Sequence, residues 1–143
     1  MWRDGIVVLD DGVIVAEPLM QLSKLQHTAI PTLELKVVAS CADTIRAGIG
    51  PVSIDRSEWY LTAYFRSERM INVTLLLSET EVVHRFRSSD KKSEELLFYK
   101  AWINGKMGRS VPCTFPWGTV DVGTDHWTLD PYIFFGYSNS NRI

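Results

Sequence analysis

The hydrophobic and polar positions of this chain alternate with a period of two over much of its length and turn helical in one long stretch. Residues 59–66 set Trp59, Leu61, Ala63 and Phe65 against Tyr60, Thr62, Tyr64 and Arg66, and residues 71–77 set Ile71, Val73, Leu75 and Leu77 against Asn72, Thr74 and Leu76. Successive side chains of a strand point to opposite faces, so each run predicts a strand with one buried face. Ser67-Glu68-Arg69 between them predicts an antiparallel hairpin. Residues 6–9 and 13–16 are β-branched runs separated by Asp10-Asp11-Gly12, a second predicted hairpin, because Asp and Gly tolerate the positive φ of a tight turn. Leu19, Leu22, Leu25 and Gln26 give one or two helical turns that Pro31 stops. Residues 33–40 read as a strand, and Ala47-Gly48-Ile49-Gly50-Pro51 reads as loop.

From Asp90 onward straight-chain helix formers dominate, and a helix is predicted. Asp90, Glu94 and Glu95 near its start, with Lys100 and Lys106 toward its end, complement the helix dipole, and Gly105 or Gly108 supplies a left-handed cap. Leu96, Tyr99 and Ile103, with Trp102, form its packed stripe. Residues 115–122 and 132–137 form a closing hairpin around residues 123–125. Its last strand is bulky on both phases, with Ile133, Phe135 and Tyr137 opposite Tyr132 and Phe134, so a helix should cover one face and loops or a partner the other. The polar tail after Ser138 is expected to fray. Together these elements predict an α+β fold in one domain spanning residues 1–143. Its architecture is an antiparallel sheet of about five to seven strands with one principal helix packed on one face, in two layers.

Composition fits a globular chain: 45% of residues are hydrophobic and 22% charged. The formal net charge of -2 disfavours a nucleic-acid backbone as partner, although residues 84–109 are locally basic. No stretch approaches the roughly 20 apolar residues of a membrane span, and the first residues lack the apolar core of a secretory leader. A cytoplasmic location is the expectation. Cys41 and Cys113 are too few and too distant for a disulfide framework and are expected as free, buried thiols.

Candidate chemistry is sparse. His27, His84 and His126 have no zinc-ligand spacing, no Gly-x-Ser-x-Gly elbow occurs, and Gly48-Ile49-Gly50 lacks the third glycine of a dinucleotide site. No metal, cofactor or catalytic residue is therefore assigned. Asp121, Asp125, His126 and Asp130 gather three carboxylates and an imidazole near one turn, a set suited to a hard cation or proton transfer, although Asp also populates turns for its local hydrogen bonds. Trp127, in the polar run Asp125-His126-Trp127-Thr128, has no strand or helix pattern to bury it and is the expected exposed anchor. Arg85, Arg87, Lys91 and Lys92 around Phe86 form a basic patch with an aromatic platform, although Asp90, Glu94 and Glu95 beside it favour a solvated loop.

Residues 94–103, Glu-Glu-Leu-Leu-Phe-Tyr-Lys-Ala-Trp-Ile, followed by Phe115-Pro116-Trp117-Gly118-Thr119-Val120 and the terminal strand, resemble a family of short uncharacterised bacterial proteins. In that family an antiparallel sheet precedes a charged helix, a Pro-Trp-Gly strand, an Asp-containing turn and a closing strand. The resemblance spans about residues 57–138 and implies a fold, with no activity to carry over. Residues 125–131 depart from the Lys/Gly/Ser-rich turn of the family, so no property of that turn transfers. In this setting Pro116 and Gly118 suit an edge or bent strand, and Trp117 is expected to pack on the Leu96, Tyr99 and Ile103 stripe.

Absent catalytic motifs and aromatic-rich loops predict a non-catalytic module that binds another protein, of immunity or inhibitor type. The alternative is a small-ligand or enzymatic domain using residues 121–130, and the third reading is nucleic-acid or anion binding through residues 85–92.

Overall fold

The strongest alternation in the sequence forms the centre of the fold. In the computed structural model, β5 (Ser57–Arg66) and β6 (Arg69–Leu77) pair antiparallel, with Trp59, Leu61, Ala63, Phe65, Val73 and Leu75 buried on one face. The structure describes residues 2–28, 33–37 and 43–138, with Glu34 the only side chain described in 33–37. Pro31, residues 38–40, Cys41 and the tail beyond Ser138, on all of which the sequence carried expectations, lie outside the described residues.

The predicted first hairpin is β1 (Val7–Val8) with β2 (Ile14–Ala16), and the short helix is α1 (Leu22–Gln26). A seven-stranded antiparallel sheet follows, built from β3 (Leu33–Val37), β4 (Thr44–Ile54), β5, β6, β7 (Cys113–Phe115), β8 (Gly118–Thr124) and β9 (Pro131–Tyr137). Its order is β3-β4-β5-β6-β9-β8-β7, so β9 is inserted between β6 and β8. The seventeen-residue helix α3 (Lys91–Met107) packs on one face, and the α+β expectation holds. Gly108 caps it in the left-handed conformation, whereas Gly105 lies inside it.

Four expectations are corrected. Residues 47–51 are not a loop: β4 runs through them, and a register irregularity between Ile49 and Val52 takes up Pro51, which lacks a donor for the ladder. Gly50 sits there at φ 147°, where a Cβ would come within 2.6 Å of the Tyr60 ring. Residues 115–122 are not one strand, because Pro116-Trp117 turns the chain from β7 into β8. Trp117 packs away from the helix stripe: it stacks on Phe115 (5.2 Å) and Phe135 (6.1 Å), and its Nε1 donates to the Arg3 carbonyl at 2.8 Å. The helix stripe itself is Glu95, Tyr99, Ile103 and Met107, with Leu96 and Trp102 only half-buried beside it.

A short helix, α2 (Glu79–Arg85), was not expected from the sequence. Its signal is present as Ser78-Glu79-Thr80-Glu81, since Ser78 caps the helix by accepting from the Glu81 N–H at 3.3 Å. Glu81 instead spends its carboxylate on the Glu58 N–H at 2.8 Å, tying α2 to the start of β5.

Aromatic side chains fill the space between helix and sheet. Trp59 lies 4.7 Å from Trp102 and 5.9 Å from Tyr99, centroid to centroid, and its Nε1 donates to the Ile54 carbonyl. The Tyr99 hydroxyl accepts from the Leu77 N–H at 2.9 Å and donates to Glu95, joining the helix to the end of β6. Burial pushes the Glu95 carboxyl above its ordinary pKa, with the Tyr99 hydrogen bond opposing that shift. Among the described residues no helix is long and apolar enough to cross a membrane.

Candidate functional site

Among the described residues no element covers the face of the sheet opposite α3. Its side chains are the outward phase of the same strands: Tyr60, Thr62 and Tyr64 on β5 lie opposite Leu76, Thr74 and Asn72 on β6. Phe134 on β9 continues the row from Thr74, and Gly48 on β4 continues it from Thr62. Of these, Thr62, Tyr64, Asn72, Thr74, Leu76 and Phe134 floor an open depression of about 620 Å³ that reaches from Arg46 at one side to Thr124, Asp125, His126, Thr128 and Asp130 at the other. Alternating strands usually put charged side chains outward. Here the outward phase is mainly Tyr, Thr, Phe and Leu, a composition suited to contact with another surface.

The β8–β9 loop is held in place by its own polar groups. Asp125 accepts from the N–H groups of Trp127 (2.8 Å) and Thr128 (2.9 Å), and these bonds lower its pKa. The Asp125 N–H donates to the Asp130 carbonyl at 2.8 Å, and the Leu129 N–H donates to the Asp125 carbonyl at 2.9 Å. From α3, Lys92 donates to the Thr128 carbonyl and pairs with Asp130 at 3.4 Å. The His126 ring stands edge-on to Trp127 at 5.2 Å. The loop therefore presents Trp127, 87% exposed, and Leu129, 62% exposed, from a pinned backbone.

The sequence-derived candidates separate in space. Asp125, His126 and Asp130 line the depression, with Trp127 carried on the same loop. Asp121, opposite Phe134 on β8, is not among its lining residues and accepts from the Val122 N–H at 2.7 Å. Each of the three carboxylates thus has its own local partner, and among the described residues no group of three or more His, Cys, Asp or Glu could hold a metal ion. Arg85 and Arg87 lie outside the depression. Arg85 pairs with Glu81 at 3.2 Å, donates to Ser57 and stands 5.0 Å over Phe98, while Arg87 is exposed. Phe86 is buried against Phe98, so the basic stretch has no aromatic platform there. The Cys113 thiol is buried, and burial raises its pKa, which disfavours the thiolate a nucleophile needs.

Sequence reasoning missed the floor of the depression and Arg46. The legible signal was the outward phase of β5 and β6, where aromatic and Thr side chains take positions that a solvated strand fills with charge.

The class defined by this geometry is an α+β domain with a helix-covered sheet whose second face is open. No protein-family model and no curated protein matches the chain. Among solved structures, a chain of "Rhs1-CT in complex with cognate immunity protein RhsI1" matches with a TM-score of 0.57 and 13% sequence identity, over 98% of this chain and 86% of that one. At that identity the likeness establishes a shared fold.

Proposed function

We propose that this protein is a non-catalytic, cytoplasmic, single-domain binding module of the inhibitor or immunity kind, which docks a second protein on its open sheet face with Trp127 as the anchor. The observation that carries the reading is the meeting of an uncovered, aromatic and Thr-rich face with a pinned loop presenting an 87% exposed Trp. Binding energy at protein interfaces concentrates in a few aromatic and Arg anchors, and a loop already fixed in place loses little entropy on binding. The fold likeness to a chain from a complex of Rhs1-CT with its cognate immunity protein supports the coarser part of this reading, the binding of a protein partner. The locally satisfied carboxylates weigh against the enzymatic alternative.

A photo-crosslinking tryptophan analogue at position 127, which keeps the indole anchor, compared with the same analogue at position 100 on the exposed side of α3, tests the proposal in the native cell. One discrete protein adduct from position 127 and none from position 100 is the expected result. Equal labelling from both positions, or none from either, would overturn it.

A further inference from the structure

We infer that the end of the open face nearest the β5–β6 turn, which carries Arg46, Arg66 and Arg69, receives an acidic stretch of the partner protein. The inference rests on the docking reading above and adds the chemistry of the partner. Arg66 and Arg69 are direct cross-strand partners, and Arg46, opposite Tyr64 on β4, is the diagonal neighbour of Arg66 on the same face. Direct partners in an antiparallel pair stand ~5 Å apart at Cβ and diagonal ones within ~8 Å, and like charges placed so are destabilising.

All three arginines are exposed, and among the described residues none makes an ion pair or a side-chain hydrogen bond. Every Asp and Glu of the sequence lies among those residues. Four other cations are paired, Lys24 with Glu17, Arg85 with Glu81, Lys92 with Asp130 and Lys106 with Asp55; Arg87, Lys91 and Lys100 are also exposed and, among the described residues, unpaired, but do not share a face of the sheet with a cross-strand arginine. Of the acids beside the cluster, Asp43 accepts the Ser67 hydroxyl at 3.2 Å, Glu68 lies in the exposed turn, and Glu34 lines a smaller depression with Arg46, Gly48 and Thr62. Strand register therefore places three arginines at one end of the face with no carboxylate paired to them, a like-charge arrangement that partner carboxylates would relieve, and guanidinium groups bind carboxylates in a bidentate fork.

A polypeptide fits better than a nucleic acid. The far side of the same face carries the exposed Asp125 and Asp130, which repel an extended polyanion laid across it, whereas a polypeptide places acids only where the arginines stand.

Titration of the isotopically labelled protein with the peptide Ac-Leu-Glu-Leu-Glu-Leu-Glu-NH2, its Lys counterpart and a single-stranded oligothymidylate, followed by amide NMR, tests the assignment. The acidic peptide is expected to shift the amides around Arg46, Arg66 and Arg69, with affinity falling roughly tenfold or more in Arg66→Gln/Arg69→Gln. Arg46→Gln, on a different strand, provides the same test should the double variant misfold. No shift from the acidic peptide, unchanged affinity in the variants, or equal binding of the Lys peptide overturns the inference. Tighter binding of the oligothymidylate also overturns it, in favour of a nucleic-acid site. Crosslinking from position 127 together with arginines that ignore the acidic peptide would leave the docking reading standing and remove only its chemistry. An acidic peptide that binds without any crosslink would do the reverse.

Discussion

Trp59 and Tyr60 are neighbours in the chain and opposites in the fold. Trp59 is fully buried, packed at a tilt against Trp102 and Tyr99 and hydrogen-bonded to the Ile54 carbonyl, whereas Tyr60 is 46% exposed on the open face. The same contrast runs the length of β5 and β6. One phase of each strand builds the core under α3 and the other builds a surface that no element of the described protein covers. Stability and recognition are thereby assigned to alternate residues of the same strands, and substitutions in the two phases should separate the two properties.

The largest separation is expected from Trp59→Ala against Tyr60→Ala. The former should cost about 3–5 kcal/mol in denaturant unfolding through lost burial and a residual cavity, the latter under about 1 kcal/mol. Equal losses would mean that the open face is part of the core. Tyr99→Phe comes next. It leaves the ring in place but deprives the Leu77 N–H of its acceptor and Glu95 of a donor, so a loss of about 1–3 kcal/mol is expected from chemical denaturation.

Glu95→Gln sharpens the comparison through pH. Because burial raises the pKa of Glu95, the folded state holds that proton more tightly than the unfolded state. Its contribution is therefore full at pH below the ordinary carboxyl range and is lost as pH rises through that range toward the raised value. Unfolding measured from about pH 4 to pH 8 should show the variant gaining on the parent as pH rises, and parallel profiles would contradict this. The smallest stability effect belongs to Trp127→Ala, within about 0.5 kcal/mol of the parent, since an 87% exposed ring has little packing to lose. The same change should abolish partner crosslinking from a photo-probe at neighbouring His126. A large loss of stability would make Trp127 a structural residue.

Period-two alternation made β5, β6 and β9 legible, because burial of one face is written directly into alternate residues. The long helix was legible from its helix formers and its glycine cap. What escaped was set by tertiary context. Gly48, Gly50 and Pro51 look like a loop in sequence, but neighbouring strands accommodate them around a register irregularity. Glu95 looks like a solvated acid near a helix start and is buried because the Tyr99 hydroxyl meets it there. Of the candidate site, the exposure of Trp127 and the turn-forming role of Asp125 followed from local chemistry. The floor of the depression needed the strand register, which no local pattern supplies, and the arginine cluster needed three residues from three strands.

The insertion of β9 between β6 and β8 bears on how the chain is made. Until residues 131–137 have left the ribosome, the Asn72–Leu75 segment of β6 lacks the neighbour it pairs with in the finished sheet, and a nascent chain carries that edge open. The N-terminal residues wait just as long. The Arg3 and Gly5 carbonyls accept from the Trp117 and Tyr137 side chains, so these residues are fixed only after residues more than a hundred positions later have emerged. Synthesis thus passes through an interval in which that edge of β6 stands as an unpaired template for any other strand within reach.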